Sequence, residues 1–200
     1  MEKSRRLVSR STSSSQELIV TAQRMMRVVS YAEAMQLVPP LTEPGVSVEE
    51  FESAIAALAE HGLVRRISYS SLSKNDVLEQ ASARAVAAIQ DSPVPDVEWG
   101  IYGLLGERLA DLVGVSASSM TRYRKRERTT PDDVAERLHV LAQVVTDLIG
   151  SYNAYGIRRW FDRSRSALDG LSPAEVLHGQ WDPDSPEVLR VRDLAASLVA

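Results

Sequence analysis

GERLADLVGVSASSMTRYRKRERTTPDDVAERL, residues 106–138, has the spacing of a helix, a tight turn and a second helix. Leu105, Leu109, Leu112 and Val113 recur at the interval that lines one helix face. Gly114 follows where a bend of three or four residues demands the left-handed conformation. Ser116 is placed to cap the second helix, with Met120 and Tyr123 facing inward. That leaves Ala117, Ser118, Thr121, Arg122 and Lys125 on the outward face. A helix that starts with small hydroxyl residues can approach the major groove of DNA closely, and Arg122 can reach a guanine O6 and N7 as a bidentate donor. Arg124, Lys125, Arg126 and Arg128 then fall on flanking phosphates. With Ser116, these nine residues form the candidate DNA-binding set. Pro131 starts a further helix carrying Val134, Leu138, Leu141 and Val145, with Asp132 and Asp133 in its first turn. The same spacing also serves helices that merely pack together, and the basic cluster from Arg122 to Arg128 is what favours the DNA reading.

Charge counted along the chain supports that choice. The formal net charge is -4, yet residues 105–130 are net +3 and residues 1–16 are net +3, whereas residues 167–200 are net -4. Affinity for a phosphate backbone follows the field at the site, so a local basic patch suffices in an acidic protein. A solvated charged helix face is the alternative reading of the same residues.

Upstream, residues 1–16 are Ser-rich and basic without a periodic apolar pattern, which predicts a disordered tail, with a DNA-contacting arm as the less favoured use. From Glu17 to Val38, Leu18, Ala22, Met25, Met26, Val29 and Ala32 mark an amphipathic helix ended by Pro39 and Pro40. Ser47 and Glu50 form a capping box before the stripe Val48, Phe51, Ile55 and Leu58, and Gly62 stops that helix. Leu63 to Tyr69 alternates as a short strand would. Residues 17–90 are therefore expected to be a helical N-terminal domain, either winged-helix-like or serving dimerisation. Asp76 to Gln90 is its last helix, residues 91–96 read as a linker, and 97–149 as the helix-turn-helix domain.

Composition narrows the classes further. The 200 residues contain 44% hydrophobic and 25% charged side chains, the range of globular proteins. No cysteine occurs, which excludes disulfides and thiolate zinc sites. No apolar run approaches the roughly 20 residues of a membrane span, and the basic start lacks a signal peptide's apolar stretch, so a cytoplasmic location without membrane contact is expected. A mainly α-helical fold is expected from the helix-forming composition. His61, His139 and His178 stand apart, no nucleotide or hydrolase motif is present, and Asp182 and Asp184 read as a capped turn. The expectation is a protein that is not an enzyme and needs no cofactor or metal.

The last half of the chain resembles a known family. Gly156-Ile-Arg-Arg-Trp160-Phe161, then Ala167-Leu-Asp-Gly170-Leu-Ser172-Pro173-Ala-Glu175-Val-Leu177, then a closing helix from Glu187 to Val199, follow the order of the Xre/MbcA/ParS antitoxins. The resemblance implies a Cro-like helix-turn-helix fused to a small helical toxin-binding domain, here residues 150–200. It also implies a partner, a RES-domain toxin that degrades NAD, whose active-site entrance is covered by the antitoxin's C-terminal region, and an operator in double-stranded DNA at which the helix-turn-helix represses its own operon. Trp160, Gly170, Pro173 and Leu177 are the matching landmarks of that domain, and the resemblance places them in its toxin-binding set. Trp181, Leu194, Leu198 and the carboxylate of Ala200 are then the expected toxin-facing groups. About 100 residues precede the shared part, more than typical members carry. A homodimer or higher oligomer is expected because helix-turn-helix proteins usually read paired half-sites. A free-standing repressor without a toxin partner is the competing reading.

Overall fold

The computed structural model describes the backbone of residues 2–64 and 74–198 and the side chains of residues 15–64 and 75–198. Among these residues every regular element is helical. The order is α1 (Glu2–Ala34), α2 (Val48–Glu60), α3 (Lys74–Asp91), α4 (Pro95–Glu98), α5 (Tyr102–Leu105), α6 (Arg108–Val113), α7 (Ala117–Arg124), α8 (Asp132–Ile149), α9 (Ala154–Asp162), α10 (Pro173–Val176) and α11 (Pro186–Ala196). A single 3-10 turn, Trp99–Ile101, joins α4 to α5, and another, Ser166–Leu168, follows α9.

α8 lies at the centre and is buried on nearly all sides, its buried polar residues Arg137, Gln143, Thr146 and Asp147 each being hydrogen-bonded. The sequence stripe Val134, Leu138, Leu141, Val145 is buried, but so are Val140, Ala142, Val144 and Leu148 on the other faces. Apolar residues on several faces of one helix need cover from more than one neighbour. α1 and α11 pack on it directly, and α2 and α3 complete the layer around α1. The buried residues from Met25 to Ala195 consequently form one contiguous cluster. Residues 91–96, expected as a linker, are exposed except for the half-buried Val94 and Pro95, and include the start of α4.

Local signals account for the element ends. Ser47 and Glu50 form the expected capping box, with Glu50 N–H donating to Ser47 Oγ at 3.1 Å and Ser47 N–H donating to Glu50 Oε2 at 2.7 Å. α1 stops at Ala34, four residues before the expected end at Val38. The chain turns at Gln36, whose φ is 61°, while Leu37 N–H bonds Ala32 O and Gln36 N–H bonds Glu33 O, each at 2.9 Å. That is the Schellman closure of a helix, which satisfies carbonyls before the two prolines arrive.

Two expectations for the N-terminal part need revision or fall outside view. Residues 2–16, expected as a disordered tail, continue α1 as helix. Each residue added to an anchored helix gains a backbone hydrogen bond without a new nucleation cost, so the polar composition does not by itself end the helix. The expected strand and wing at 63–69 lie, from residue 65 onward, outside the described residues; Leu63 and Val64 belong to the turn after α2. No helix among the described residues is long and apolar enough to cross a membrane.

Candidate nucleic-acid interface

The site is built on the turn between α6 and α7. Gly114 ends α6 with φ 71° and ψ 38°, the left-handed conformation expected of it. Ser116 takes an extended conformation and its Oγ accepts the Ser119 N–H at 3.1 Å, capping α7. Leu105, Leu109, Leu112, Val113, Met120 and Tyr123 are all buried, so the inward face follows the sequence pattern. Ser116, Ala117, Ser118, Thr121, Arg122, Lys125, Arg126 and Arg128 are exposed, as is Arg124. The Thr121 hydroxyl donates back to Ala117 O at 2.9 Å, and the residue is exposed.

The basic residues are not equivalent. Among the described residues Arg122 and Lys125 form no ion pair and stand free on the outward face. Arg124 lies over the Tyr102 ring at 3.3 Å from its centroid, and the Tyr102 hydroxyl donates to Glu107 at 2.5 Å. Arg126 pairs with Asp96 at 3.6 Å, an exposed contact of little energetic weight. Arg128 sits 5.7 Å from the Tyr123 ring centroid. Tyr102 and Asp96 lie 22 and 30 residues from the arginines they meet, so no spacing rule in the sequence marks them.

α7 ends at a second Schellman closure. Arg126 N–H bonds Tyr123 O and Glu127 N–H bonds Arg122 O, each at 2.9 Å, and Arg126 itself has φ 58°. Glycine is the usual residue there; an arginine carries strain on the order of 1 kcal/mol. The loop that follows is anchored by Trp99, whose indole N–H donates to Thr130 Oγ1 at 3.0 Å.

The C-terminal segment buttresses this turn from behind. A six-residue helix leaves its last four carbonyls without helical partners. In α6, Ala110 O and Asp111 O are taken by the N–H groups of Val115 and Gly114. Leu112 O accepts the Trp181 indole N–H at 2.7 Å and Val113 O accepts Arg137 Nε at 2.9 Å. The backbone of Gly179 presses against Gly114 so closely that a Cβ on Gly114 would stand under 3.0 Å from it.

These contacts correct part of the expected toxin-facing set. Trp181 is buried and fully engaged as the partner of Leu112, because an indole packs its ring inside while satisfying an orphan carbonyl. Trp160 and Leu177 are likewise core residues, the former packed edge-on against Phe161 with ring centroids 5.2 Å apart. Pro173 is buried at the first position of α10, behind the Ser172–Glu175 capping box. Gly170 is exposed in a turn with φ 88°. Leu194 is half-buried and Leu198 exposed, while Ala200 lies outside the described residues. Leu171 and Leu189, which sequence reading did not single out as contacts, are large apolar residues in the open.

The three histidines resolve into different roles. His61 and His178 are exposed. His139 of α8 bonds Glu98 Oε1 through Nδ1 at 2.5 Å and faces Gln90 O through Nε2 at 3.3 Å. Glu98 is wholly buried and also accepts the Val94 N–H at 3.1 Å and the Tyr31 hydroxyl at 3.4 Å. Burial opposes a charge on His139, but the hydrogen bond and charge of Glu98, with the Gln90 carbonyl, outweigh it and raise its pKa. Burial and the adjacent carboxylate push the Tyr31 phenol up as well. The raised pKa favours the imidazolium form, in which both ring nitrogens can donate at once, to Glu98 of α4 and to Gln90 O of α3, tying both to α8. Asp182 accepts the Asp184 N–H at 2.9 Å in a closed turn, and no metal-binding group of three or more His, Asp or Glu occurs among the described residues.

Comparison with known protein families, with curated proteins and with solved structures finds no match to the chain.

Proposed function

We propose that the chain is a DNA-binding antitoxin that represses its own operon and neutralises a RES-type toxin. The observation that carries the proposal is the outward face of α7. Small residues at its start, a back-bonded Thr121, and free Arg122 and Lys125 are what insertion into a major groove requires, and the Tyr102-held Arg124 with Arg126 and Arg128 borders that face with positive charge. A rigid turn supports it, since all four terminal carbonyls of α6 are satisfied.

For the partner, the support is the resemblance of residues 156–177 together with the apolar residues left open on the C-terminal helix. Leu189 is 41% exposed and Leu198 is 39% exposed, with Leu194 half-buried near them on an acidic segment. In this reading Trp160, Pro173, Leu177 and Trp181 hold the domain together, and the toxin meets Leu189, Leu194 and Leu198 instead. The test is purification of the tagged protein from its host, identification of stoichiometric partners by mass spectrometry, and measurement of cellular NAD after depletion of the protein. A RES-type partner and falling NAD are expected. DNA recovered alone with NAD unchanged would leave a free-standing repressor.

A further inference from the structure

α9 buries one face and leaves another in water. Ile157, Trp160 and Phe161 are buried, whereas Tyr155, Arg159 and, at the cap, Arg163 are exposed, Tyr155 to 66%. Their interval of four puts successive side chains on one side of the helix. The segment 151–166 carries Arg158, Arg159, Arg163 and Arg165 against Asp162, net +3. Arg158 donates to Leu104 O at 2.8 Å, and the Arg165 guanidinium lies 5.6 Å from the Trp160 ring centroid. The side chains of Arg159 and Arg163 have no hydrogen bond or ion pair among the described residues, nor has the Tyr155 hydroxyl a hydrogen bond. Asp162, the one carboxylate of the segment, is held by both terminal nitrogens of Arg108, with Nη1 donating to Oδ2 at 2.9 Å. That hydrogen bonding keeps its carboxyl below the usual carboxylate range. A two-pronged pair of this kind also fixes the end of α9 against the first residue of α6.

The exposed face of α9 continues that of α7. Arg124, at the end of α7, lies over the Tyr102 ring, the Tyr102 hydroxyl donates to Glu107, and Glu107 precedes Arg108 in the chain. Every residue on this path, from Arg124 to Asp162, is exposed or half-buried. Along it Arg108, Arg122, Arg124, Lys125, Arg159 and Arg163 stand against Glu107, Asp111 and Asp162, again net +3.

We infer that Tyr155, Arg159 and Arg163 form a second nucleic-acid contact, which grips the sugar-phosphate backbone of the duplex beside the groove that α7 enters. This contact rests on the proposal that α7 reads DNA. From Tyr155 to Arg163 the chain advances about 12 Å at 1.5 Å per residue, and one DNA strand presents a charge about every 3.4 Å of axis, so the stripe faces about three or four phosphates. Guanidinium groups and a phenol hydroxyl are donors that fix a protein on phosphates without reading bases. A duplex suits the stripe better than a protein partner does. Apart from Tyr155 the exposed residues between 151 and 164 are all polar, whereas protein interfaces are centred on apolar side chains, and the open leucines Leu171, Leu189 and Leu198 lie on other segments.

Fluorescence anisotropy of the full chain on a duplex that carries its selected sequence with flanks on both sides tests the contact. Each phosphate contact contributes about 0.9 to the slope of log affinity against log salt, so Arg159→Gln/Arg163→Gln is expected to flatten that slope by about 1.8. Lowering the salt from about 200 to about 50 mM then strengthens wild-type binding about 12-fold more than binding by the variant. The selected sequence and the helical circular dichroism spectrum are expected to stay as they are, and Arg159→Lys/Arg163→Lys, which keeps the charge, is expected to retain the slope. Arg24→Gln/Arg84→Gln removes the same charge from exposed positions of α1 and α3 and is expected to leave the slope unchanged. An unaltered slope in Arg159→Gln/Arg163→Gln, equal flattening by the α1 and α3 variant, a changed sequence preference, or loss of a co-purifying protein with DNA affinity intact would each overturn the α9 contact while leaving α7 as the reader. A wild-type chain that binds no duplex would overturn both.

Discussion

Replacing Gly114 by alanine probes the turn on which the proposed interface stands. Two separate costs apply. A side chain at φ 71°, ψ 38° carries left-handed strain of about 1 kcal/mol. The new Cβ would also lie closer than 3.0 Å to the Gly179 backbone, whereas ordinary contact begins at 3.4 Å, and a backbone atom cannot swing aside as a side-chain tip can. Moving the 177–181 loop away adds overpacking strain of about 1–3 kcal/mol. It also loosens the Trp181–Leu112 hydrogen bond, a further contribution of about 1 kcal/mol. Gly114→Ala should therefore lose about 3–5 kcal/mol, measured by urea unfolding followed by circular dichroism. Gly170→Ala is the internal control, for its φ of 88° is also positive but nothing stands within 4 Å of the added Cβ. It should lose only the backbone part, about 1 kcal/mol. Equal losses in the two variants would refute the claim that the C-terminal loop bears on the turn.

Arg122→Ala should weaken binding to a selected operator by about 1–3 kcal/mol and relax its sequence preference, whereas Lys125→Ala should weaken binding to all sequences alike and flatten the salt dependence. Arg126→Gly should raise stability by about 0.5–1 kcal/mol in thermal or urea unfolding, since glycine relieves the left-handed strain, while lowering DNA affinity; a loss of stability would contradict the strain argument. Trp181→Phe should cost about 1–3 kcal/mol by leaving Leu112 O buried without a donor; a neutral substitution would remove the capping role. For His139 the folded pKa lies above the ordinary value of 6.5, so its pairing with Glu98 stabilises fully below that pH and the contribution fades as pH rises through the raised value. Urea midpoints measured upward from pH 6 should fall more in the wild type than in His139→Gln; parallel curves would deny the ion pair that role.

The parts of the fold legible in the sequence were those set by neighbours in the chain. The capping box at Ser47–Glu50, the left-handed Gly114 and the buried pair Met120 and Tyr123 each depend on residues within a few positions. What pattern reading missed depends on distance. The stripe Val134, Leu138, Leu141, Val145 suggests a helix with one buried face, yet Val140, Val144 and Leu148 meant that α1 and α11 would cover the rest, and this makes one core of segments that composition divides. Trp181 looks like a surface anchor in an acidic loop, and only the proximity of Leu112, 69 residues away, explains why it lies inside. The nine candidate DNA-binding residues all prove exposed, but their differing freedom turns on Tyr102 and Asp96, which no motif announces.

The central claim is that α7 reads DNA, and selection of bound fragments from a random double-stranded pool tests it most directly. The wild-type chain should enrich a defined sequence whose binding falls steeply with salt, and Arg122→Ala, folded by circular dichroism, should fail to enrich it. No enrichment by the wild type, or the same sequence enriched equally by Arg122→Ala, would contradict the account.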